Sequence, residues 1–221
     1  MTARIILRNL VFIAVLSAVL FAIAGRFDWP GGYAFLGAMG AGAVVMESWL
    51  ALTNPGLLWD RKDHKQKRPL YDRILLPLLF ALFPLWLAYM AFEVHILGID
   101  RMPRWANFAG AAVVFFGFAG NILVFRANRF ATAVVKVQEA QTVCDRGPYA
   151  IVRHPMYAIG VLIYFAIPFA LGTWTGLAGA PLLSLLLAIR VLFEEAQLKR
   201  ELAGYAEYMA KVRYRLIPFV W

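Results

Sequence analysis

The feature that most constrains this chain is a series of uninterrupted apolar runs, each long enough to cross a hydrocarbon layer of about 30 Å. They cover residues 5–24, 33–53, 74–97 and 105–125. Backbone polar groups in lipid must be satisfied within the segment that carries them, so each run reads as a helix. The runs are continuous rather than alternating, which argues against a β-barrel. Two shorter apolar stretches, at about 157–171 and 181–193, are separated only by a Gly-rich link and read as a tight helical hairpin. A charged, amphipathic helix is expected over 194–210. The expected fold is therefore all-α: a multi-pass transmembrane bundle of four membrane helices, a C-terminal helical hairpin and an amphipathic C-terminal helix.

With 62% of its residues hydrophobic, the chain has lipid rather than water as its main solvent. Its net charge of +9 sits between the apolar runs, not on a stripe with interleaved aromatics, so anionic headgroups rather than nucleic acid are the expected partner. Arg61, Lys62, Lys65, Lys67, Arg68 and Arg73 mark one loop as cytoplasmic, and Arg126, Arg129, Lys136, Arg146 and Arg153 mark another. Counting crossings puts both loops, the N-terminus and the C-terminal Lys211, Arg213 and Arg215 on that side, of the inner membrane if the source is bacterial. The first run ends in Ala22-Ile23-Ala24, which also resembles a signal-peptide cleavage site; a retained helix is the favoured reading. Residues 1–125 form the expected N-terminal transmembrane part and 126–221 the C-terminal half that carries the candidate site, within one membrane domain.

Small residues in 33–53 allow close helix approach. Pro77 and Pro84 predict a kink, and Trp86, Tyr89 and Trp105 are candidate interfacial anchors. Cys144 is the only cysteine, which excludes an intramolecular disulfide. Glu47 lies inside an apolar run, where it either reaches polar neighbours near the helix end or serves transport. His95, Glu93 and His64 lack metal-ligand spacing and read as structural.

The informative segment is Gly147-Pro148-Tyr149-Ala150-Ile151-Val152-Arg153-His154-Pro155-Met156-Tyr157-Ala158-Ile159-Gly160, with an Arg-His pair and two tyrosines at the mouth of a membrane helix. Read plainly, these are flanking charges, a Pro in the first helical turn and interfacial rings. Arg190 and Glu194 stand four apart and share a helix face. They make either a simple ion pair or a cation and an anion presented to a ligand.

Arg153-His154-Pro155-Met156-Tyr157, an apolar hairpin, Glu194-Glu195, Gly204-Tyr205-Ala206-Glu207-Tyr208 and a closing Ile217-Pro218 together resemble the isoprenylcysteine carboxyl methyltransferases and the wider group that includes phospholipid N-methyltransferases. The resemblance covers the chain from about Asn121 onward. It implies that S-adenosyl-L-methionine is the cofactor, enclosed by Tyr149, His154, Pro155, Met156 and Tyr157, contacted by Glu194, and met by Gln141, Thr142, Val143 and Cys144. It implies that Arg190 holds the acceptor, so that Arg190 and Glu194 carry the catalytic roles. One departure is a segment about four residues shorter than in the eukaryotic carboxyl methyltransferases, if Gln138 is their cofactor-contacting Gln.

The implied reaction transfers a methyl group to a carboxylate of a lipophilic, prenylcysteine-like acceptor. Such a carboxylate is ionised at neutral pH and needs no general base, and Arg190 would bind it by charge-assisted hydrogen bonds. The alternative within the same family is a phospholipid or small-amine acceptor, for which Glu194, Glu195 or His154 would take a proton. A sterol-type NADPH reductase fits less well, since Met156 and Val161 stand where that pattern has Asn and an acid. A small transporter is the non-enzymatic alternative; its charges would sit near the midplane, with two related halves.

Overall fold

The computed structural model describes residues 2–62, 69–97, 102–131 and 141–221. Among the described residues there are eight α-helices and no strand: α1 (Thr2–Ala24), α2 (Pro30–Thr53), α3 (Pro55–Lys62), α4 (Asp72–Leu97), α5 (Arg104–Ala127), α6 (Pro155–Leu171), α7 (Gly179–Glu201) and α8 (Tyr205–Lys211). Short 3₁₀ turns at Gly147–Ala150 and Thr175–Ala178 precede α6 and α7. Five segments are long and apolar enough to cross a membrane: Ile6–Ala24, Pro30–Thr53, Asp72–Ile96, Arg104–Ala127 and Thr175–Glu201; α6, at 17 residues, is shorter. The chain is a multi-pass integral membrane protein.

Two boundaries differ from the sequence reading. The second hairpin arm does not stop at Phe193 but continues through Glu194 and Glu195 to Glu201 as one helix. A helix's hydrogen-bond ladder propagates through a change from apolar to charged side chains. The break comes at Leu202–Gly204, where Gly204 adopts φ +81° and opens α8. Trp86 is buried rather than anchored at an interface: its indole donates to the Gly176 carbonyl at 2.9 Å. Trp105 is exposed.

Helix α5 is the centre of the bundle, with α2 on one side and α6 on the other. Glycines set these separations. A methyl group on Gly42 would fall 2.7 Å from Phe118 Cβ, one on Gly117 2.7 Å from Ile163 Cγ1, and one on Gly110 2.4 Å from the Ala170 nitrogen. Without a hydrophobic drive between helices in lipid, such backbone approach supplies the dispersion contacts that hold them. At the hairpin end, Pro168 interrupts α6, and polar side chains take up the last carbonyls. Trp29 donates to Leu171 O at 3.0 Å, and Asn107 to Phe169 O at 3.1 Å and Ala170 O at 3.3 Å.

Glu47 accepts from Arg8 at 2.7 Å and Asn9 at 3.1 Å, so it has the polar neighbours expected near the end of its helix. His95 lies 3.2 Å from the Ala24 carbonyl, and Glu93 accepts from Thr175. His64 and Gln138 lie outside the described residues.

Because the Gly110 clash is with backbone, Gly110→Val should destabilise the protein by about 1–3 kcal/mol. In detergent, its Tm should fall, while Gly37→Ala, with nothing within 4 Å, leaves Tm unchanged or slightly raised.

Candidate functional site

The site lies where the C-terminal ends of α5 and α7 meet the N-terminal end of α6. Gly147 takes a positive φ of 59°, which turns the chain into the 3₁₀ segment carrying Tyr149. Pro155 occupies the first turn of α6, where its missing N–H costs nothing. Met156 and Tyr157 therefore sit at the head of a membrane helix, and α7 brings Glu194 alongside.

One pocket gathers these pieces. Its walls include Gln141, Thr142, Val143, Cys144, Tyr149, His154, Pro155, Met156, Tyr157 and Glu194, so every residue expected to enclose a cofactor faces the same space. The free volume is about 100 Å³, and about 760 Å³ when the open mouth is counted. Other parts of the wall escaped the sequence reading: Asn128, Phe130 and Ala131 after α5, and Leu198, Leu202, Tyr205 and Tyr208 from α7 and α8. Tyr205 and Tyr208 had a signal, since they belong to the Gly-Tyr-Ala-Glu-Tyr string; the others had none. Cys144 is half-buried, and its Sγ donates to the Ala127 carbonyl at 3.3 Å. Burial pushes the Tyr149 phenol above its usual range, and Tyr208 likewise, so both stay neutral donors at physiological pH. The Tyr208 hydroxyl donates to the Tyr149 carbonyl at 2.8 Å, tying α8 to the turn.

Arg190 is placed differently from the sequence expectation. It is only 4% exposed and stands behind Tyr157 rather than in the pocket wall. Its Nε and Nη2 donate to the two oxygens of Asp72 at 2.7 and 2.9 Å, a fork-to-fork pair between α7 and α4. Nη1 donates to the Tyr157 hydroxyl, which donates in turn to Glu194 at 2.7 Å. Asp72, Arg190, Tyr157 and Glu194 thus form one polar row from three helices. In sequence Asp72 is one acid beside the basic loop; its place in the first turn of α4, facing inward, is set by tertiary packing.

Glu195 anchors a second network. Its carboxylate accepts from Arg153 Nε at 2.6 Å and Arg215 Nε at 2.8 Å, and lies 3.3 Å from His154 Nε2. Arg153 also donates to the Val212 and Arg213 carbonyls at 2.7 and 2.8 Å. The amides of Arg153 and His154 donate to the Tyr214 and Arg215 carbonyls at 2.9 and 3.0 Å, so the C-terminal strap is stitched to the loop before α6.

Residues 105–203 match the family model described as phospholipid methyltransferase. Over that segment, a little under half of its length, the chain is similar to that family. The match runs from α5 through α7, and so includes Tyr149, His154, Tyr157, Arg190, Glu194 and Glu195 while leaving Asp72 and α8 outside. No curated protein matches the chain.

Removing one partner from a buried ion pair costs about 3–5 kcal/mol. Glu195→Ala should therefore lower Tm strongly in detergent and make the segment after Lys211 the first site of limited proteolysis, with Glu195→Gln intermediate.

Proposed function

We propose that the chain is an S-adenosyl-L-methionine-dependent methyltransferase acting on a lipophilic acceptor at the cytoplasmic membrane face. The observation that carries this reading is the convergence of 141–144, Tyr149, 154–157 and Glu194 on one pocket at the head of a membrane helix. The pocket suits a ligand with an amino-acid end, a diol and a flat base. Glu194, Tyr149 and the polar 141–144 segment offer charge and hydrogen bonds, while Val143, Leu198 and Leu202 offer apolar wall.

The cofactor would supply a methyl carbon on a positively charged sulfur, whose bond to that carbon breaks as the acceptor's bond forms, leaving a neutral thioether. What remains for the protein is alignment and exclusion of water. Glu194 is fixed by the Tyr157 hydroxyl, and Tyr157 is fixed by Arg190. An apolar cavity of about 310 Å³ lies between α2, α4, α5 and α6, lined in part by Met39, Phe80, Phe83, Phe118, Ile163 and Ile167. It supports an acceptor whose chain stays among the helices. The two basic loops flanking the site support a cytoplasmic orientation.

A carboxylate acceptor would be held by Arg190 and would give a neutral ester with no proton to move. The Arg190–Asp72 pair favours a second reading, an amine-bearing phospholipid acceptor, because the guanidinium fork already holds a carboxylate. The amine must then lose a proton before transfer, and Glu194 and His154 are the pocket groups able to accept it.

Calorimetry on detergent-purified protein should show saturable S-adenosylhomocysteine binding that weakens at least tenfold in Glu194→Ala and His154→Ala variants of unchanged fold. A folded wild type that binds none overturns the reading.

A further inference from the structure

Helix α3 carries a cation that the polar networks above do not use. Asn54 caps this helix, its side-chain oxygen accepting from the Leu57 amide at 3.1 Å. Leu57 and Leu58 bury against Leu50, Phe125 and Ala131, which swings Arg61 inward. The Arg61 guanidinium lies 4.7 Å above the Phe125 ring, and Nη1 reaches the Ala131 carbonyl at 2.9 Å and Met156 Sδ at 3.4 Å. Ala131 and Met156 are both walls of the pocket.

Among the described residues no carboxylate lies within ion-pair distance of Arg61. The contrast with Arg153 and Arg190 is plain, since each of those is matched to a buried acid. A part-buried guanidinium resting on a ring, one carbonyl and a thioether has no carboxylate in contact with it among the described residues to offset its burial. Burial pulls its pKa below the ordinary arginine value, with the Glu47 carboxylate opposing that shift through space.

Geometry indicates where the missing anion comes from. Phe118 and Val114 lie seven and eleven residues before Phe125 on α5, and Gly160, Ile163 and Ile167 lie four, seven and eleven after Met156 on α6. These five residues line the apolar cavity. The helix repeat puts them on the same stripes as the two residues that hold Arg61. At 1.5 Å per residue, the stripe runs about 6–16 Å from Met156 into the membrane, the span between a lipid phosphate and its chains.

We propose that Arg61 is an anion site that takes the phosphodiester of a phospholipid acceptor whose chain occupies the α5–α6 cavity. This rests on the methyltransferase reading, in its phospholipid form. Arg61 sets which lipids dwell beside the pocket by binding a group that does not react.

The test is tryptophan-fluorescence quenching of the detergent-purified chain by a brominated phosphatidylethanolamine and by the matched brominated diacylglycerol, which lacks the phosphate. The wild type should bind the phospholipid about tenfold more tightly, Arg61→Gln should bind both lipids alike, and Arg61→Lys should keep part of the preference. A wild type that does not distinguish the two lipids, or an Arg61→Gln variant that still does, overturns the proposal. So does competition by millimolar inorganic phosphate, which would mark a simple anion site. S-adenosylhomocysteine affinity, measured on the same samples, should be equal in wild type and Arg61→Gln. If it falls in the variant, the anion belongs to the cofactor and the proposal fails. If the wild type binds none, the cofactor reading fails while the lipid comparison still stands or falls by itself.

Discussion

The structure depends on what happens to Glu195. A carboxylate at the end of a membrane helix must be matched by cations and donors, and here Arg153, His154 and Arg215 converge on it from two segments that are otherwise loops. That one charge fixes the Arg-His-Pro turn, draws the C-terminal strap across it and sets where α6 begins. The pocket walls follow, because Met156 and Tyr157 inherit their positions from Pro155. Tyr205 and Tyr208 are held by the short helix between α7 and the strap.

Next to it, the pair of Asp72 and Arg190 does something different. It joins α4 to α7, two helices that otherwise touch less than α5 touches its neighbours. Because the pair is bidentate and buried, it is rigid, and Tyr157 is oriented by a fixed guanidinium instead of a mobile one. The adjacent acids Glu194 and Glu195 thus divide their roles: one faces the pocket, and its neighbour holds the frame.

Much of this was legible in the sequence, and the limits have physical causes. The membrane helices were readable because hydrocarbon imposes length and apolarity on each span separately. Residues 141–144, Tyr149, 154–157 and Glu194 were named together only by the resemblance, and they line one pocket. Arg190 shows where reading stops. Its helix face followed from spacing, but its partner lies on α4, 118 positions away, and nothing local to Asp72 distinguishes it from the neighbouring loop charges. Arg61 is the same case: an arginine in a basic loop comes to rest behind Ala131 and Met156 only when α3 packs against Phe125. The end of the second hairpin arm was misjudged because hydropathy changes at Phe193 while the backbone ladder continues to Glu201.

The shortness of α6 has a consequence of depth. Seventeen residues span about 26 Å, less than the hydrocarbon layer its longer neighbours cross. Helix α6 is therefore shorter than a layer that its neighbours are long enough to cross, so at least one of its ends falls short of the headgroups. For a helix of this length the thickness of the surrounding bilayer becomes one of the variables that set the depth of its ends.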